Sequence, residues 1–237
     1  MALFRSKPRP TAAQSGAVPA GLVSLSKAAA VSLRKSGLDQ AQRAAVYLVL
    51  DHSGSMSGYY GNGAVQRLAE QVLGLSTNLD DDGTVPVIYF GSKASKPVDV
   101  SLSDYAGAVQ RTHVKVEWGS TDYVSAIDAV RKHYRKSGAK DPALVVFQTD
   151  GQPDDRYAVE QALRDASGEP VFWAFVGFGW DVSFLQNLDT LSGRRVDNAS
   201  FYHAADPASV PDADLYDGIT GEFASWIRTA IPACAAT

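Results

Sequence analysis

The sequence holds a single cysteine, Cys234, so no disulfide can close within the chain, and no neighbouring base is evident to activate that thiol. Long hydrophobic runs are missing as well. Nothing approaches the roughly 20 consecutive apolar residues that cross a bilayer, and the first residues lack the apolar core of a secretory signal. The expectation is a cytoplasmic protein without a membrane span. Charge of one sign is equally scarce. Lys and Arg number 22 against 26 Asp and Glu, a net charge of −4, so the clustered basic surface that phosphate backbones demand is absent and nucleic acid is not the expected partner. The one basic concentration, Arg5, Lys7 and Arg9 among prolines, reads as a solvated arm.

Apolar residues are plentiful. They make up 45% of the chain against 20% charged, enough for a sizeable core and against global disorder. A length of 237 residues suits one large α/β domain with short extensions. Residues 1–20, rich in Pro, Ala, Ser and Gly, read as a disordered lead, and residues 21–42 as an N-terminal extension packing on the domain. In that extension Leu22, Leu25, Ala29 and Leu33 recur at helical spacing, although Val31-Ser32-Leu33 also suits a short strand. The domain is expected over 43–231, followed by a tail at 232–237.

Within the domain, the unbroken apolar run Ala44 to Leu50 reads as a strand buried on both faces and ends abruptly at Asp51. A Gly/Ser-rich loop follows, then a helix on Val65, Leu68, Ala69, Val72 and Leu73 ending near Asn78. Val85 to Phe90 is a second strand, with Pro86 near its start, and Pro97 to Val100 an extended piece. Helices are expected over Tyr105 to Arg111, Val124 to Tyr134, Asp155 to Asp165, Val182 to Leu191 and Leu215 to Ile231. Further strands are expected at Leu144 to Thr149, Val171 to Val176 and Ala199 to Ala204. This alternation implies a doubly wound, mainly parallel sheet with helices on both faces, whose ligands bind beyond the carboxyl ends of the strands where strand order reverses.

Two loops at such ends begin with a carboxylate: Asp51-His52-Ser53-Gly54-Ser55 and Asp150-Gly151-Gln152-Pro153. Between them, Gly119-Ser120-Thr121-Asp122 precedes a helix and can reach the same crevice. Alternate residues of a D-x-S-x-S stretch can face one point, so Asp51, Ser53 and Ser55 can offer three oxygens to one ion, with Gly54 allowing close backbone approach. Oxygen donors suit hard cations, Mg2+ above all. Any one of these loops read alone is more simply a helix cap; the three together are not. Asp154 and Asp155 are read as caps, Asp122 as a first-turn residue complementing the helix dipole, and His52 as turned away from the ion. His113, His133 and His203 show no metal-cluster spacing. Trp118, Tyr59 and Tyr60 either line an entrance or pack locally.

The set Asp51, Ser53, Ser55, Thr121 and Asp150 resembles, in order, the metal-ion-dependent adhesion site of von Willebrand A domains, over roughly residues 43 to 231. The resemblance implies direct metal contact by Ser53 and Ser55, contact by Thr121 in a ligand-receptive state, and Asp51 and Asp150 acting largely through water. The stretches Val23-Ser24-Leu25-Ser26-Lys27, Val31-Ser32-Leu33-Arg34-Lys35 and Gly37-Leu38 also resemble the bacterial tellurium-resistance (Ter) stress branch of these domains. A non-enzymatic module is then expected, holding Mg2+ (or Ca2+ or Mn2+) and using it to capture a partner's Asp or Glu carboxylate. Two carboxylates roughly neutralise the ion, and hydroxyl ligands keep it electrophilic toward that incoming anion. Two other readings compete. Gly54-Ser55-Met56-Ser57-Gly58 matches the G-x-S-x-G of serine hydrolases, with Asp189 and His203 as possible partners, but Ser57 lies too far past the strand for a nucleophile elbow. The other is a scaffold with a vestigial metal site.

Overall fold

The computed structural model of the chain describes residues 17–38 and 42–235, without the side chains from 231 onward. Most of the lead expected over residues 1–20, its basic arm, and the end of the 232–237 tail therefore lie outside the described residues. The strands are β1 Ala45–Asp51, β2 Thr84–Phe90, β3 Val98–Ser101, β4 Ala143–Thr149, β5 Val171–Phe178 and β6 Ala199–Ala204. The helices are α1 Val23–Lys35, α2 Ser57–Gly61, α3 Ala64–Leu79, α4 Ala108–His113, α5 Tyr123–Ser137, α6 Arg156–Ala166, α7 Ser183–Asp189 and α8 Asp212–Ala235. Six strands form one sheet in the order β3-β2-β1-β4-β5-β6. Every pairing is parallel except that of β3 with β2. The expected doubly wound α/β fold is the fold observed.

Period-two alternation in strands buried on both faces splits the core in two. Val46, Leu48 and Leu50 of β1 face a layer built from α1, α3, α4 and α8, through residues such as Leu25, Val65, Val72, Tyr216 and Phe223. Tyr47 and Val49 face the opposite layer, where Ile127, Val130, Leu163 and Leu185 come from α5, α6 and α7. Pro86 is tolerated because the register of β2 with β1 begins at Val87, leaving Pro86 opposite only Asp99 of the short edge strand β3. The triple aspartate turns the chain by capping it. Asp80 accepts from the Val46 and Asp82 amides, and Asp82 from the Thr84 amide at 2.7 Å.

The structure settles one open reading and departs from expectation at a second segment. The ambiguous N-terminal stretch is a helix, α1: its apolar residues lie on one stripe, and Ser26 bonds Thr77 of α3 at 2.7 Å. Part of the Gly/Ser-rich loop is the short helix α2, because Tyr60 is buried and its hydroxyl donates to the Asp51 carbonyl at 3.0 Å, which pins a stretch that glycine content alone would leave loose.

Helices α1 and α3 cross at Gly74, where a Cβ would stand 2.6 Å from the Leu25 Cβ. Gly74→Ala, which in an open helix would gain about 1 kcal/mol, is therefore expected to destabilise by about 1–3 kcal/mol through overpacking. Gly221→Ala on α8, where a Cβ meets nothing within 4 Å, is expected to stabilise slightly. Urea denaturation midpoints of the two variants measure this difference; equal shifts of one sign would rule out a close crossing.

Candidate functional site

The order β3-β2-β1-β4-β5-β6 reverses direction between β1 and β4, and the loops leaving these two strands meet at that crevice. Asp51, the last residue of β1, is fully buried. One carboxylate oxygen accepts from the Ser53 amide at 2.7 Å and the other from the Thr149 hydroxyl at 2.6 Å. Thr149 is in turn reached by the Tyr123 hydroxyl at 3.1 Å, which also lies 2.6 Å from the Gly151 carbonyl. Burial pushes the Asp51 carboxyl up to about 6, with the bonds from Thr149 and Ser53 pulling it back and the charge of Asp150 pushing it further up.

From Asp51 the chain of contacts runs outward. The Ser53 and Ser55 hydroxyls lie 3.2 Å apart, and Ser55 donates to Asp150 at 2.9 Å. Asp150 is half-buried and its carboxyl is also raised, by burial first and by Asp181 nearby. Four of the expected site residues thus form one polar chain. Neither carboxylate has an ion pair with a basic side chain among the described residues.

Thr121 joins this group through its backbone. Its amide donates to Asp154 at 3.1 Å, and its carbonyl accepts from the Asp154 amide at 3.1 Å. The Ser120 hydroxyl donates to the same carboxylate at 2.7 Å. The Thr121 hydroxyl itself has no hydrogen-bond partner among the described residues. Asp154 is therefore not the helix cap expected of it. It clamps the Thr121 loop, while Asp155 alone caps α6 by accepting from the Ala158 amide at 2.9 Å. Asp122 caps α5 through the Ser125 amide at 3.0 Å.

Close backbone approach happens at Gly119, not at Gly54. A Cβ on Gly54 would meet nothing within 4 Å, whereas one on Gly119 would lie 2.3 Å from the Ser92 nitrogen. Gly119 bridges to Ser53 in parallel fashion, and its amide donates to the His52 carbonyl at 3.2 Å. This contact brings the Thr121 loop beside the Ser53 loop.

His52 sits behind the site in an aromatic cluster. Its ring stacks on Trp118 at 3.8 Å and 10°, and meets Tyr60 edge-on at 5.0 Å. The Glu117 carbonyl, 3.2 Å from Nδ1, can only accept, so Nδ1 of the neutral ring carries the proton, and Nε2 lies 3.3 Å from His113 Nδ1. Burial lowers the pKa of both rings. Tyr59 packs on Phe178 and Tyr60 is buried, so local packing describes both, while Trp118 remains 46% exposed.

The competing triad does not assemble. Ser57 is exposed at the start of α2, His203 bonds the Gly179 carbonyl at 2.6 Å, and no hydrogen bond joins Ser57, Asp189 and His203 among the described residues. Those residues also contain no cluster of three or more His, Cys, Asp or Glu suited to a metal, so any ion at the crevice must draw on hydroxyls. Two carboxylates joined by serine hydroxyls, with no basic side chain paired to either among the described residues, are a donor set that fits a hard divalent ion.

Comparison with known proteins finds relatives of the family and of the fold. Residues 43–236 match a family model, vWA-TerF-like, described as the vWA found in the TerF C terminus. The uncharacterized protein YcbR of Bacillus subtilis (strain 168) is 35% identical over 193 residues, 79% of each chain. Among solved structures, a von Willebrand factor type A protein from Catenulispora acidiphila is similar with a TM-score of 0.53 at 16% identity, covering 76% of this chain. The chain spans 42% of that protein. The manganese-loaded TRAP protein of Plasmodium vivax reaches 0.50 at 19% identity, over 75% of this chain and 74% of that one.

Asp51 sets a pH signature. Its folded value of about 6 lies above the unfolded carboxylate range, so protonation favours the native state: this stability is complete below about pH 4 and is lost as pH rises through 6. The difference corresponds to about 3 kcal/mol. In chelator, the melting temperature is expected to fall between pH 5 and 7.5, and Asp51→Asn should flatten the fall and raise the value at pH 7.5. Parallel pH profiles for wild type and variant would refute the buried uncompensated charge.

Proposed function

This chain belongs to the vWA-TerF-like family, and from that premise we propose that it is a divalent-metal-dependent binding module that captures a partner's carboxylate. The observation that carries the reading is the pair Asp51 and Asp150, two shielded carboxylates joined through Ser53 and Ser55 with no basic side chain paired to either among the described residues. An unpaired buried charge is costly, and a cation is the simplest compensation.

Ser53, Ser55, Thr121, Asp51 and Asp150 are the residues that would hold the ion. When bound, it supplies a Lewis-acidic position that a partner's Asp or Glu can occupy. Asp51, fixed from three sides by Ser53, Thr149 and Tyr60, keeps its negative charge beneath the hydroxyls. Asp150 takes the Ser55 proton as a hydrogen bond, which orients the serine lone pairs away from the carboxylate. Asp154 holds the Thr121 loop, leaving the threonine hydroxyl available. Mg2+ is the ion we favour, and Mn2+ or Ca2+ suits the same oxygen donors; the manganese in the TRAP structure supports a divalent ion on this fold.

The partner is a protein or ligand presenting Asp or Glu. The family description ties the domain to TerF, which supports a place in a bacterial tellurium-resistance or stress-response system, and a cytoplasmic setting goes with it. No described helix is long and apolar enough to cross a membrane. The role is binding rather than catalysis.

Calorimetric titration of metal-stripped protein with Mg2+, Mn2+ and Ca2+ tests the site. Saturable binding is expected in wild type, weaker by about tenfold or more in folded Ser53→Ala and Asp150→Ala, and weaker as pH drops below 6 and Asp51 gains a proton. A folded wild type that takes up none of the three ions would leave the scaffold reading. A fluorophosphonate probe should not label Ser57; labelling abolished by Ser57→Ala would instead restore the hydrolase.

A further inference from the structure

Beside the candidate metal site lies an open groove of about 370 Å3, walled by residues 92–95 after β2 and by residues 115–119 before α5. It adjoins the site, because Ser92 and Gly119 line it and the Ser92 hydroxyl accepts from the Ser120 amide, next to Thr121. Its charge runs against that of the chain. Where the whole sequence carries −4, the groove presents Lys93 and Lys115 against the single acid Glu117. Both lysines are exposed, and neither forms an ion pair among the described residues.

The apolar part of the wall comes from Ala94, Val116 and Trp118, beside the hydroxyls of Ser92 and Ser95. Trp118 is 46% exposed, yet its ring is held flat against His52, whose neighbour Ser53 belongs to the site itself. A rigid, half-open indole next to two unpaired ammonium groups is a surface for an amphipathic segment with negative charge.

We propose that this groove binds the chain flanking the captured carboxylate, and that the partner is an acidic protein segment with further Asp or Glu residues beside the one at the site. The inference rests on the reading of the site as a carboxylate-capturing metal centre. Single-stranded nucleic acid would also meet lysines and an aromatic ring, but two lysines in a net acidic chain make a poor phosphate track, and the adjoining site selects for carboxylate.

The test compares two synthetic decapeptides, capped at both ends and built from Gly and Ser, one with a single central Asp and one with three added Glu residues. Each is titrated into the full chain loaded with Mn2+, following Trp118 fluorescence, with Trp118→Phe identifying that signal. At low salt the multi-acid peptide is expected to bind about tenfold more tightly, and added salt should shrink the ratio. Lys93→Glu combined with Lys115→Glu should bring the ratio close to one while leaving Mn2+ uptake and single-Asp binding unchanged. A ratio that survives the charge reversal overturns the proposal. So does a ratio near one in wild type that still binds Mn2+, or tighter binding of a single-stranded oligonucleotide than of the acidic peptide. Folded wild type that takes up none of Mg2+, Mn2+ and Ca2+ in calorimetry removes the metal reading, and this inference with it.

Discussion

A negative charge buried with no basic side chain beside it among the described residues governs the top of this molecule. Asp51 is closed off from water at the end of a central strand, and its two oxygens are met by one amide and one hydroxyl rather than by a lysine or arginine. Neutral hydrogen bonds offset only part of the cost of burying a carboxylate, which is why its pKa rises. The neighbouring groups follow from that strain. Tyr60 pins the strand end, Thr149 and Tyr123 tie it to the next strand, and the serines extend the polar path to Asp150 at the surface.

The sheet makes this convergence possible. With β1 and β4 adjacent and parallel, Leu50 aligned with Gln148 brings the two loop starts level with one another. The crossover from β2 through the edge strand and α4 carries the Thr121 loop back over the same crevice, where glycine at 119 lets two backbones touch. The arrangement asks for small residues where loops meet and bulky ones beneath, and the core supplies Phe90, Tyr123 and Phe147 in mutual ring contact directly under the site.

Much of this was legible from residue order. The unbroken apolar runs at Ala44 to Leu50 and Leu144 to Thr149 are β1 and β4, and their abrupt stop at a carboxylate located the crevice. The spacing D-x-S-x-S named Ser53 and Ser55, which the hydrogen bonds link to both aspartates. What stayed hidden depends on tertiary neighbours. Asp154 and Asp155 are indistinguishable as adjacent acids before a helix, and only the return of the Thr121 loop gives the first a separate task. Thr149 was seen as the end of a strand, without a hint that its hydroxyl feeds Asp51. His52 and His113 lie 61 positions apart and meet only because α4 folds back against the first loop. Glycine content made residues 57–61 look loose, since no composition rule registers a single buried tyrosine.

Helix α1 lies ahead of the stretch that matches the family, yet its Leu25, Ala29 and Leu33, with Leu22 just before it, are buried in the same core that receives Val46, Leu48 and Leu50 of β1. Where a family begins and where a stable body begins are therefore different places in this chain. A fragment started at residue 43 would keep every residue of the candidate site and expose the apolar stripes of α3 and α8 that α1 covers, a surface prone to self-association. Such a fragment would precipitate or pair with itself through that bared surface alone, independently of anything held at the crevice.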